Sequence, residues 1–194
     1  MAKARPLTGL DPLAPTEENA RIIVRERLAD MYAYAPYVES PQNVQELHDL
    51  RIATKRVRYT LEIFADVLPT ASKDFAQELA DLQEELGELH DSEVILALLR
   101  RLLQESQTRP EDRHEDELFV QKQEPLSSDM VDYLLLCARN SAFSAQETQG
   151  LMDFLHQQEQ RRLQAYASFH RHWKSLEQRH FREALLQMLE QRGG

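Results

Sequence analysis

Apolar residues recur at helical spacing along most of the chain, and breaks that contain proline separate the resulting segments. In one segment Leu79, Leu82, Leu86 and Leu89 follow one another at intervals of three and four residues, which is typical of one helix face. The pattern predicts helices over residues 16–34, 41–67, 72–104, 129–140, 145–175 and 178–191. Strand-like alternation of useful length is absent from the sequence. The fold class predicted is therefore all-α, an antiparallel bundle of long helices.

Local signals set the expected ends of the second and third helices. Ser40 and Pro41 form a good N-cap and first-turn pair for the second helix, and Pro69 requires that helix to end before it.

Gly87 lies inside the third helix, where we expect it to let another backbone approach closely. Residues 105–128 are polar and acidic and contain Pro110 and Pro125, so they are predicted to form a loop inserted into a single domain of residues 1–194.

Composition narrows the class of protein. The chain has 194 residues, 42% of them hydrophobic and 7% aromatic, a balance that suits helices and excludes collagen-like and wholly disordered chains. The single cysteine excludes an internal disulfide and favours a reducing compartment. The first residues lack the apolar core of a secretory signal, and no stretch approaches the roughly 20 apolar residues of a membrane span. We therefore expect a cytoplasmic protein with no membrane contact.

Charge is unevenly distributed along the chain. There are 23 Lys and Arg against 33 Asp and Glu, a net charge of −10 that disfavours nucleic acid as a specific partner. Residues 51–58 nevertheless contain four basic residues and no acid, whereas residues 105–132 contain nine acids and three bases. A local cationic site on an acidic protein is therefore possible.

The basic residues of the second helix fall on one face. At 100° per residue, His48, Arg51, Lys55 and Arg58 lie within an arc of about 80°. A second arc of similar width holds only apolar residues, namely Leu50, Ala53, Val57, Leu61, Phe64 and Leu68. The apolar arc is predicted to pack in the bundle and the basic arc to lie at its margin.

Like charges at this spacing repel, so the basic arc requires compensation. Glu62 can reach Arg58 one turn away, but Asp49 points to a different side. A polyvalent anion laid along the helix would supply the compensation through charge-assisted hydrogen bonds. A solvated basic face, or one paired with acids of a neighbouring helix, is the structural alternative.

The residues of this helix closely resemble the signature helix of the CHAD domain, the conserved histidine α-helical domain. The resemblance is carried by the run His48-Asp-Leu-Arg51-Ile-Ala-Thr-Lys55-Arg56-Val-Arg58-Tyr59-Thr-Leu-Glu62. A second run, Leu82-Gln-Glu-Glu-Leu86-Gly87-Glu-Leu-His90-Asp91, is similar to the Leu-Gly and Asp motif that follows in that family. His90 departs from the family pattern, which more often has Arg there.

The resemblance implies a helical bundle that binds inorganic polyphosphate, without catalysis and without a cofactor or metal. Carried over residue by residue, the ligand contacts it implies are His48, Arg51, Lys55, Arg56 and Arg58, with Tyr59 and Glu62 in supporting positions. CHAD domains usually contain two similar halves, each with a signature helix, whereas this sequence has one copy. A homodimer with two-fold symmetry would restore the duplicated arrangement.

Arg162 is a further candidate for the anion site. It interrupts an apolar stripe on the long helix predicted over residues 145–175, a stripe that includes Phe169 and Trp173. Because an unpaired buried guanidinium is costly, we expect Arg162 to meet an acid or to face a groove filled by the anion. Phe169 and Trp173 are expected in the core rather than as stacking platforms.

Two other functions fit parts of the sequence. His48-Asp49 and His90-Asp91 are pairs of the kind found in helical HD-type phosphohydrolases, which bring several such groups to one metal ion. The positive charges around His48 would repel that metal. A structural bundle whose basic face docks an acidic protein is the second alternative.

Overall fold

The structure, a computed structural model, describes residues 5–107 and 143–191. Those ranges contain five α-helices, namely α1 (Thr16–Tyr32), α2 (Val44–Ile63), α3 (Ser72–Gln107), α4 (Ala145–Gln178) and α5 (Phe181–Glu190). A 3₁₀-helix, Ala35–Tyr37, lies between α1 and α2. These two ranges contain no strand, and the all-α prediction is confirmed.

Residue contacts group the described chain into two compact units. The first comprises residues 5–90 and 162–191, and the second comprises 91–107 and 143–161. Within the second unit, Leu102 packs with Leu98 and Phe143, and Arg100 pairs with Glu159. The prediction of a single domain stays a prediction.

The first unit contains the larger apolar core and all of α2. Leu50, Ala53, Val57 and Leu61 are buried, as their common arc predicted. Phe169 and Trp173 of α4 are also fully buried, which confirms that they belong to the core rather than to a stacking surface. One side of α2 is thus fixed in the core, and its opposite side faces solvent.

Helix α2 begins later than predicted because Pro41 belongs to a turn. The Asn43 amide donates to the Ser40 carbonyl oxygen at 3.2 Å, which closes a four-residue turn with Pro41 at its second position. Asn43 precedes the first helical residue, Val44, so the prediction of Ser40 as N-cap and Pro41 as first-turn residue is wrong. The helix ends at Ile63, and isolated turns continue from Phe64 to Leu68.

The other helix ends differ from prediction by up to three residues. Helix α3 continues to Gln107, so residues 105–107 are helical and not part of a loop. The rest of the predicted insertion, residues 108–128, and the helix predicted over 129–140 lie outside the described residues. Between α4 and α5 the chain turns at His180, whose φ of 53° is left-handed. No helix within the described ranges is both long and apolar enough to span a bilayer.

Candidate anion-binding site

The predicted basic arc lies along one margin of α2, and we call its four residues, His48, Arg51, Lys55 and Arg58, the cationic row. His48, Arg51 and Arg58 are half-buried, whereas Lys55 is exposed. At 1.5 Å rise per residue, Arg51 and Lys55 are about 6 Å apart along the helix axis, and Arg51 and Arg58 about 10 Å apart. The row therefore presents charges at regular intervals along a rigid element.

Only one carboxylate of the described residues is ion-paired with this row. Arg58 Nε lies 3.4 Å from Glu62 Oε1 on the same helix, and that carboxylate is itself half exposed. Neither Arg51 nor Lys55 forms an ion pair with any carboxylate within residues 5–107 and 143–191. A pair this exposed stabilises weakly, so the row keeps most of its positive potential.

Tyr59 supports the outer end of the row. The Arg58 guanidinium carbon lies 4.5 Å from the centre of the Tyr59 ring, and Lys55 Nζ lies 5.4 Å from it. A cation above an aromatic face is attracted by the ring's electron density. The two side chains are thus held near one another while their charge stays available to a ligand.

Helix α3 forms the second wall of the site. The ring of His90 lies 4.4 Å from that of His48, measured between centroids, and His90 is only 7% exposed. A Cβ at Gly87 would be 3.7 Å from Arg51 Nε. The close approach predicted at Gly87 is therefore made by the Arg51 side chain and not by a backbone. The inner end of the row, His48 and Arg51, therefore lies against α3, and we call this contact between α2 and α3 the seam.

Burial changes the acidity of His48. Loss of solvent lowers the pKa of its imidazole below the ordinary 6.5, and the charge of Arg51 lowers this pKa further. Asp49 opposes these effects in part. His48 therefore favours the neutral form near pH 7.

Arg56 lies on a different side of α2 from the cationic row. Its charge acts on the phenol of Tyr34, on the side of α2 that also carries Asp49. Burial raises the pKa of Tyr34, and the charge of Arg56 opposes that rise. The geometry thus separates Arg56 from the row, and its contact with ligand stays a prediction.

Arg162 stabilises the segment that leads into α2. Its Nη1 donates to the Pro41 carbonyl oxygen at 3.1 Å, and the expected contact with an acid stays a prediction. Tyr166, one turn further along α4, donates from its hydroxyl to the Val38 carbonyl at 3.0 Å. His170, a further turn along, contacts Glu39 at 3.2 Å. Arg162 therefore positions the entry to α2, and its direct contact with an anion stays a prediction.

Sequence reasoning did not place Gly87 and His90 in the site. They lie three residues apart, so they share one face at the edge of the apolar stripe of α3. A polar and a small residue beside the apolar stripe were the signal available in the sequence. The sequence does not say which helix these residues face, and the structure shows that they face α2.

An HD-type hydrolase would need a metal centre in the same seam. Within the described ranges, no group of three or more His, Cys, Asp or Glu side chains could hold a metal ion. The rings of His48 and His90 meet in this seam. The hydrolase alternative stays a hypothesis.

Fold and site together define an all-helical protein with a cationic helix seam suited to an anion. The model of the CHAD domain matches residues 2–100, just over half of the chain, and the protein belongs to the CHAD domain family. That family is associated with polyphosphate binding and is generally a binding module. No curated protein and no solved structure matches the chain.

Proposed function

We propose that this protein binds inorganic polyphosphate through the cationic row, without catalysis. The observation that carries the proposal is that Arg51 and Lys55 have no ion pair with a described carboxylate, although the chain has 33 acids. A polyphosphate chain carries regularly spaced negative charges on a flexible backbone. It can follow the row and accept a charge-assisted hydrogen bond at each cation.

The charge distribution of the protein disfavours a specific nucleic-acid site. Counterion release favours binding of any polyanion, and it gives the affinity a steep dependence on salt. Duplex DNA is a wide rod, however, and the net charge of −10 repels it over most of the protein surface. A narrow, single-stranded polyanion can enter the seam while it avoids the acidic surroundings.

Titration with long-chain polyphosphate at several salt concentrations tests the proposed function. We expect binding that weakens steeply as salt rises, and displacement of bound polyphosphate by DNA only at a large excess of DNA phosphate. DNA that binds more tightly at equal phosphate concentration would contradict the proposal. Absence of polyphosphate binding would instead favour docking of an acidic protein. Release of phosphate in the presence of divalent metals would revive the hydrolase alternative.

We further propose that the protein forms a homodimer through the solvent side of α2. Tyr59 is 41% and Ile63 is 74% exposed there, so two large side chains lie one turn apart on the exposed side of the helix. A two-fold axis at Tyr59 that pairs antiparallel copies of α2 would bring Arg56 opposite Glu62 of the second copy. Such an axis also brings both cationic rows to the same side of the interface. The site would then contain two rows, as in a duplicated CHAD domain.

Light scattering of the wild-type chain and of Ile63→Glu tests the dimer. We expect twice the monomer mass for wild type and the monomer mass for the variant, because the change removes an exposed apolar side chain of the proposed interface and places a charge there that loses its water on association. Polyphosphate affinity should fall in the monomer, since one row replaces two. A monomeric wild-type protein would overturn the homodimer and leave the row of a single chain as the site.

A further inference from the structure

The contacts between α2 and α3 define an antiparallel register. His48 lies against His90, and Arg51 lies against Gly87. Moving one turn toward the C-terminus of α2 therefore corresponds to moving one turn toward the N-terminus of α3. The next position on that face of α3 is Gln83, which lies one turn from Gly87 at the level of Lys55.

Several buried polar atoms of the cationic row and of Gln83 have no hydrogen-bond partner among the described residues. They are His48 Nδ1, Arg51 Nε, Arg58 Nε and Gln83 Oε1. Buried polar atoms are nearly always hydrogen-bonded, because an unsatisfied one costs stability. This grouping indicates a binding site in which a ligand supplies the missing hydrogen-bond partners.

The side chain of Gln83 is suited to such a ligand. An amide carries an acceptor and a donor at two similar positions, and a half turn about its last torsion exchanges them. After that exchange, the NH₂ group occupies the buried position next to the seam. It can then donate to a phosphate oxygen without adding charge.

We propose that Gln83 is a further ligand-binding residue of the site and donates to a non-bridging oxygen of the phosphate unit that Arg51 holds. The inference rests on the proposed function and deepens it, because it adds a ligand contact from α3 to the contacts from α2. Gly87 contributes by leaving room for the Arg51 guanidinium against α3. Phosphate is thus bound by cations from one helix and by a neutral donor from the other.

Gln83→Leu separates a ligand contact from a structural role. Leu has nearly the same volume and no polar atom to leave unsatisfied, so we expect the melting temperature to be maintained or raised. Affinity for long-chain polyphosphate should fall about tenfold, the usual effect of losing a hydrogen bond to a charged group. The slope of log affinity against log salt should not change, because no charge is removed. Arg51→Ala should instead reduce that slope by about 0.7.

Two further variants complete the test. Gln83→Glu adds an anion beside the row, so it should weaken binding more than Leu and reduce the salt slope by about the effect of one cation. Gln77→Leu is the matched control, since Gln77 lies on the exposed side of α3 and donates to Asp81 at 2.8 Å. Its affinity should equal that of wild type.

The outcomes distinguish this inference from the proposed function. If wild type binds polyphosphate and Gln83→Leu binds equally well, the role of Gln83 is overturned while the proposed function stands. A loss of both melting temperature and affinity in Gln83→Leu would assign Gln83 a structural role. If wild type does not bind, the proposed function fails first.

Discussion

Replacing Arg51, Lys55 and Arg58 together by Ala is expected to lower polyphosphate affinity by about 100-fold at 0.1 M salt. Each cation that neutralises a phosphate of a single-stranded polyanion releases about 0.7 counterion. Removal of three cations should therefore reduce the slope of log affinity against log salt by about two. Titration at four or more salt concentrations measures both quantities.

A second triple variant provides the matched control. Arg25, Lys73 and Arg171 are exposed and lie on α1, α3 and α4, away from the row. Their replacement by Ala changes the net charge by the same amount as the row variant. We expect a small loss of affinity through general repulsion, with a nearly unchanged salt slope.

The comparison of the two variants can refute the proposed site. Equal losses of affinity in both would show that binding follows net charge and not the row. Helical content and melting temperature should be close to wild type in each case, because Lys55 is exposed and the ion pair that the row makes within residues 5–107 and 143–191, Arg58 with Glu62, contributes little.

Much of the fold could be predicted because local signals and packing agree. Leu50, Val57 and Leu61 repeat at helical spacing, and their arc on α2 is the buried one. The prediction failed where a local signal has two meanings. Ser40 and Pro41 fit both a helix start and a turn, and the hydrogen bond from Asn43 to Ser40 shows that the turn forms.

The site could be predicted only in so far as it lies on one helix. The spacing of Arg51, Lys55 and Arg58 fixes their common face, since positions three and four apart are neighbours. The contribution of α3 depends on helix pairing and register, which spacing within one helix does not contain. His90 is the clearest example, because its meeting with His48 joins residues 42 positions apart.

Polyphosphate affinity is expected to rise about tenfold as pH falls from 8 to 5.5, because His48 takes up a proton on binding. Burial and Arg51 hold the pKa of free His48 below 6.5. A bound phosphate stabilises the imidazolium and raises that pKa in the complex. The complex then binds more protons than the free protein, so affinity increases as pH falls between the two pKa values and is constant above the higher one.

The proton taken up on binding is expected on the imidazole of His48. The charged groups that act on this ring are Asp49 and Arg51 of its own helix, and the ring of His90 on α3 lies against it. His48→Gln should therefore bind with an affinity that hardly changes between pH 8 and 5.5, in titrations with long chains whose interior units stay ionised. His172→Gln is the control, because His172 lies 2.9 Å from Glu85 rather than in the row, and it should keep the pH dependence. If the dependence persists in His48→Gln and disappears in His90→Gln, the proton belongs to His90. That result would mean that the anion lies closer to α3 than to α2.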